Sequence, residues 1–177
     1  SYENLDGFYA NHGPGPGAVA SGDGTIASIA QSFTPAVSSS IKHAYFLMRK
    51  VGSPTNTIWC RLYSDLGDAP NAILATTGSV LGSTLPAYNY TWVKFTFATS
   101  YSLTAATKYW IVFYPATSSS SNHYQLRTDE NSNFSQANHY ARQYSSSAWN
   151  LITSVTNPGS RPDLYFRVVC EQDTGAQ

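Results

Sequence analysis

The run Lys108–Pro115, KYWIVFYP, constrains the chain more than any other segment. Every position from Tyr109 to Tyr114 is apolar or aromatic. Read as a strand, it places Trp110, Val112 and Tyr114 on one face and Tyr109, Ile111 and Phe113 on the other. A strand apolar on both faces belongs in the middle of a sheet and must be covered twice. The surrounding segments keep the same period of two. ASIAQSFTP alternates, with Ile29, Gln31 and Phe33 on one face and Ala30, Ser32 and Thr34 on the other. IKHAYFLMRK, TIWCRLYS, NAILATTGS, TWVKFTF, HYQLRT, NHYARQYS and DLYFRVVCE read as further strands. Clusters of Gly, Pro, Asn and Ser separate them about every ten residues, which is the rhythm of a β-sandwich or barrel. No helical period of useful length is visible. The expected fold is all-β, an antiparallel two-sheet sandwich.

A chain of 177 residues fits one such domain. Residues 1–26 differ from the rest. HGPGPGAVASGDG favours turns and extended chain, while Leu5, Phe8 and Tyr9 ahead of it are apolar. The segment reads as an N-terminal arm, with those three residues as its anchors and 27–177 as the sandwich domain. A strand and loop packed on the same domain is the alternative.

Only 11% of the residues are charged, and Lys plus Arg equals Asp plus Glu. That balance excludes the basic footprint of a nucleic-acid binder. No apolar run approaches the ~20 residues of a membrane span, so no membrane insertion is expected. SYENLDGFYA lacks a basic start and an apolar stretch, so it does not read as a signal peptide. A surface rich in Ser, Thr, Asn and Tyr suits a virion or an extracellular or cell surface, where partners are sugars or other proteins. Near-zero net charge also tolerates self-association. Cys60 and Cys170 sit among apolar neighbours, and buried free thiols are preferred over a disulfide.

An ordered set of motifs carries a family resemblance over Ala27 to Glu171: AQSFTP, Lys50-Val51-Gly52-Ser53-Pro54, LYSDLGDAPNAILAT, TWVKFTF, SLTAATKYWIVF and DLYFRVV. Together they resemble the choice-of-anchor type of jelly-roll domain, found in bacterial surface proteins and phage structural proteins. The resemblance implies a jelly-roll-like sandwich used as a non-enzymatic accessory or adhesive module. It supplies no catalytic residue.

Candidate sites are few. The Asp65–Pro70 turn carries two carboxylates, and Ca²⁺ takes oxygen ligands of that kind. Without an EF-hand progression, Asp65 and Asp68 read first as turn formers and only weakly as Ca²⁺ ligands. No other metal or cofactor is expected, since His12, His43, His123 and His139 form no ligand motif. No Gly-x-Ser-x-Gly elbow or placed pair of carboxylates appears, so no catalytic residue is assigned and no enzyme is expected. Exposed aromatics are the stronger candidates, because Tyr and Trp stack on sugar C–H faces and hydrogen-bond at their rims. Tyr140, Tyr144 and Trp149, with Arg127 and Arg142 as donors, form the candidate glycan-binding set. Tyr124 falls in the same polar third of the chain, and Tyr88, Tyr90 and Trp92 cluster in AYNYTW. The leading expectation is a structural subunit of a virion or extracellular assembly, such as a capsid decoration, tail component or filament. Its partners are copies of itself, through the arm, or other virion or surface proteins. The alternative is a carbohydrate- or receptor-binding module.

Overall fold

The computed structural model describes residues 16–21 (as backbone), 25–117, 119–129, 139–152 and 161–171. Thirteen strands occur among them: β1 (Pro16–Ser21), β2 (Ser28–Phe33), β3 (Ser39–Val51), β4 (Thr57–Asp65), β5 (Pro70–Thr76), β6 (Val80–Leu81), β7 (Thr91–Leu103), β8 (Tyr109–Pro115), β9 (His123–Asp129), β10 (Ala141–Ser145), β11 (Ala148–Leu151), β12 (Asp163–Leu164) and β13 (Phe166–Glu171). They form two antiparallel sheets, and the fold is the two-sheet sandwich that the alternating pattern calls for.

In the first sheet, β3 is the long central strand. β7 pairs along one edge of it, while β13 and then β9 pair along the other. β12 and β13 run as one strand in the fork where β3 and β9 diverge. Tyr165 N–H bonds Arg127 O at 3.0 Å, and Leu47 N–H bonds Tyr165 O at 3.1 Å. β1 closes this sheet by pairing with β9 from Pro16↔Asp129 to Ser21↔Tyr124. Residues 16–21 of the segment read as an arm therefore form an edge strand of this sheet. Leu5, Phe8 and Tyr9 lie outside the described residues.

The second sheet has the order β11-β10-β2-β8-β4-β5, with β6 also on β4. β8 lies between β2 and β4, as its two apolar faces require. Its inward residues Tyr109, Ile111 and Phe113 join the main core with Ile29, Phe33, Phe46, Phe95 and Phe166. Phe113 is the hub, with ring centroids 5.6 Å from Tyr124, 6.3 Å from Phe46 and 6.4 Å from Phe95. Tyr124 is thus a core residue and not a surface one. Its hydroxyl donates to Asn56 Oδ1 at 2.9 Å, and burial raises its pKa to about 12. Gly82 passes directly over that hydroxyl, where a Cβ would collide with it. Cys60 and Cys170 are buried free thiols on inner faces, and burial pushes the Cys60 thiol up.

Turn chemistry fixes the hairpins. Gly67 and Asp68, at φ 61° and 63°, are the two central residues between β4 and β5, and Leu66 N–H bonds Ala69 O at 3.0 Å. Two consecutive left-handed residues match the twist of the flanking strands. Ser146 and Ser147, at φ 52° and 63°, do the same between β10 and β11, at the tip that the serine run marks.

Candidate functional site

The outward face of β8 is where the second sheet departs from an ordinary solvent face. Trp110 and Val112 are buried there, together with Ala30 of β2. Register explains the cover. Ala30 lies between Arg142 and Val112, and Val112 lies beside Arg61. Ser32 and Tyr63 flank Trp110 in the next row. β2 contributes only Ser28, Ala30 and Ser32 to this face. Such short side chains let the larger neighbours lean across them, and Tyr63 and Trp149 pack on the cluster.

The carboxylates of the β4–β5 turn fasten this cover. Asp65 Oδ1 accepts the Trp110 indole N–H at 2.7 Å. Asp68 pairs with Lys108 at 2.8 Å and with Arg142 at 3.0 Å. Burial alone would raise the Asp68 pKa, but hydrogen bonds from Lys108 and Arg142, and their charges, outweigh it and hold the carboxyl below its ordinary value. Both aspartates thus face donors already in place, an arrangement that serves packing better than a cation. Among the described residues no group of three or more His, Cys, Asp or Glu is placed to hold a metal.

Around this buried patch lies a partly exposed aromatic surface. Trp59 and Tyr114 are register partners with ring centroids 6.2 Å apart. The Arg61 guanidinium stacks 3.8 Å from the Tyr114 centroid. Its Nε is shielded from solvent, and the side chain makes no hydrogen bond to a described residue. At the other end, Tyr144 and Trp149 meet edge to face at 5.2 Å, and Tyr144 is 36% exposed. Arg142 joins the two ends, with its Cζ 5.9 Å from the Trp110 ring and Nη1 donating to Trp149 O at 3.4 Å.

The structure therefore brings together Arg142, Tyr144 and Trp149 from the sequence-predicted set. Tyr140 lies on the same side, under the Arg161 guanidinium at 4.4 Å. Arg127 does not join them, because β9 belongs to the other sheet. Sequence reasoning missed Trp59, Arg61, Tyr63 and Tyr114. The signal was present in TIWCRLYS, whose Trp59, Arg61 and Tyr63 alternate with the core residues Ile58, Cys60 and Leu62. It missed a second feature as well. Asp129 and Asp163, both buried, stand directly opposite each other between β9 and β12. His123 and His139 do not meet: the first bonds Ser120 O and the second Thr34 Oγ1.

No protein-family model and no curated protein matches this chain. Among solved structures, a clostridial cysteine protease, Cwp84 after propeptide cleavage, is similar over 88% of this chain, with a TM-score of 0.59 and 11% identity. This chain spans 37% of that protein's length. At such low identity the likeness is one of fold.

Proposed function

We infer that this chain is a non-enzymatic binding module of a virion or extracellular surface, and that the outer face of its second sheet binds carbohydrate. One observation carries the reading. Trp59, Tyr63, Tyr144 and Trp149 share a single outer sheet face with Arg61, whose guanidinium lies over Tyr114 and has no hydrogen-bond partner among the described residues. Apolar rings beside an available fork of N–H donors suit a sugar, which offers C–H faces and hydroxyl rims together. The rings are set on a rigid sheet, so little ordering opposes binding. A glycan-array screen of the whole chain tests this. A bound glycan should lose roughly tenfold or more in affinity on Trp59→Ala or Arg61→Gln, the scale of one aromatic or charged contact. A screen that finds no ligand, or variants that bind as well as the parent, would sink it.

A second reading, the structural subunit, is favoured by a different feature. β5 is an edge strand with no charged residue, and Leu66, Ile73 and Leu81 around it are exposed, Ile73 by 52%. Uncharged apolar edges are open to pairing with another copy. Native mass measurement of the parent and of Ile73→Lys decides it. A monomeric parent removes this reading.

A further inference from the structure

The outer face of the first sheet is chemically unlike that of the second. It carries cations stacked on rings. Arg49 and Arg127 each place Cζ 5.0 Å from the Tyr90 centroid. Arg167 lies 4.2 Å from the Trp92 centroid, and Lys94 Nζ is 6.0 Å from Tyr45. The register arranges them in order. Arg127 is bonded through its carbonyl to Tyr165, and Arg167 follows two residues on, roughly 7 Å along the strand and on the same face. Arg167 pairs with Tyr45, and Tyr45 with Lys94, so the line continues across β3 to β7.

Among the described residues the carboxylates are elsewhere. Asp65 and Asp68 lie on the other sheet, Asp129 and Asp163 are buried, and Glu171 stands at the far end of β13 opposite Ser40. The two ion pairs between described residues are both made by Asp68.

Arg49 and Arg127 have different jobs. Arg49 is committed: Nε and Nη2 donate to Gln125 Oε1 at 2.9 and 2.7 Å, and Nη1 to Tyr88 O at 3.2 Å. Gln125 also accepts the Tyr90 hydroxyl at 3.3 Å, so this group fixes the ring. Arg127 lies over that fixed ring and makes no side-chain hydrogen bond to a described residue. Its planar edge of N–H donors is held ready, and such an edge matches a carboxylate or sulfate. Tyr88, 89% exposed, stands beside the cations as an open ring.

We propose that this face binds an acidic polysaccharide, with Arg127 and Lys94 meeting its repeated carboxylate or sulfate groups and Tyr88 meeting a sugar face. The line of cations fits repeated anions on an extended chain. Single-stranded nucleic acid is disfavoured, because successive bases need several open rings, and guanidinium groups lie over Tyr90 and Trp92, leaving Tyr88 alone open beside these cations. The site is distinct from the aromatic face of the second sheet and does not depend on it.

The test is salt-dependent binding of the whole chain to dextran sulfate, polygalacturonate, neutral dextran and oligothymidylate. Binding is expected to dextran sulfate or polygalacturonate, to weaken with added salt, and to resist competition by neutral dextran. Comparing those two polymers tells sulfate from carboxylate. Arg127→Gln should weaken it by roughly ten- to hundredfold, the range for one charge-assisted hydrogen bond. Lys94→Glu, on an exposed position, serves as a second variant that spares the packing, and unchanged melting curves confirm that both fold. No binding to either polyanion, or binding untouched by both variants, overturns the proposal. Equal or tighter binding of oligothymidylate overturns it in favour of nucleic acid.

Discussion

Gln31 points into the core from β2, fully buried. Its Nε2 donates to Asp163 Oδ1 at 2.9 Å and to Ser32 O at 3.2 Å, and its Oε1 accepts the Leu164 N–H at 2.8 Å. Asp163 and Leu164 form β12 of the opposite sheet, so one amide joins the two layers through the interior. Gln31→Met keeps the length of the side chain and removes every one of these bonds. The Leu164 N–H would be left buried without a partner, at about 1–3 kcal/mol, and a hydrogen bond to a carboxylate would be lost, at about 1.5–3 kcal/mol. Asp163 retains another interaction, so no full desolvation cost is counted for it. The added apolar burial offsets about 1–2 kcal/mol. The expected net loss is about 2–4 kcal/mol, a large share of the ~5–15 kcal/mol typical of a domain. Urea unfolding reads it as a midpoint lowered by roughly 1–2 M at unchanged slope. Gln31→Glu should be worse at neutral pH, because it sets a carboxylate against Asp163, and should recover as pH falls. A Met variant within 1 kcal/mol of the parent, or a Glu variant as stable as Met at pH 7, would refute the idea that this amide ties the sheets.

Three further outcomes are expected. Asp68 has a lowered carboxyl pKa, so its contribution is complete above the ordinary value of 3.8 and lost as pH falls through the folded value beneath it. Asp68→Asn should remove that part of the acid sensitivity and cost roughly 0.5–2 kcal/mol at pH 7, read by urea unfolding at several pH values. Ser146→Asn with Ser147→Gly should stabilise by roughly 0.5–1 kcal/mol, because both serines hold left-handed backbone, and a lower melting temperature would contradict the turn assignment. Gly82→Ala should destabilise by about 1–3 kcal/mol by forcing Tyr124 off Asn56, and an unchanged near-ultraviolet tyrosine signal would argue against that contact.

What could be read from the sequence was local. The two-faced run at Tyr109–Tyr114 placed β8 in mid-sheet, and the alternation of Ile29, Gln31 and Phe33 placed those three together on one face, which the structure shows to be the inner one. The serine run marked the β10–β11 tip because a two-residue hairpin is specified by its own turn. Partners far apart in sequence were not legible. Tyr124 looked exposed in a polar stretch, yet its hydroxyl partner Asn56 is 68 residues away. Arg127 and Arg142 looked like neighbours, but β9 pairs with β3 and β10 with β2, so the sandwich puts them on different sheets. Trp59, Arg61 and Tyr63 became a surface only once β8 and β10 had covered the face between them. The carboxylates at Asp65 and Asp68 read correctly as a turn, while their second role, clamping Trp110 and Arg142, depends on strands that arrive much later in the chain.

The difference between the two outer faces bears on how such a module would work. On the second sheet Lys108 and Arg142 share the Asp68 carboxylate and Arg61 is stacked on Tyr114, so binding there would rest mainly on rings and hydroxyl-matched donors and should depend less on salt. On the first sheet Arg49, Arg127 and Lys94 gather without a facing row of carboxylates among the described residues, so binding there should weaken as ions screen it, over ~8 Å at physiological strength. The sheets of a sandwich stand about 10 Å apart, and their outer faces point in opposite directions. If both proposed sites bind, one copy would hold a neutral glycan on one side and an acidic one on the other without competition. Two weak sites on one rigid body reinforce each other whenever both ligands belong to the same surface or matrix. With both sites occupied, added salt should weaken the first attachment more than the second, and partial release at moderate ionic strength is the expected outcome.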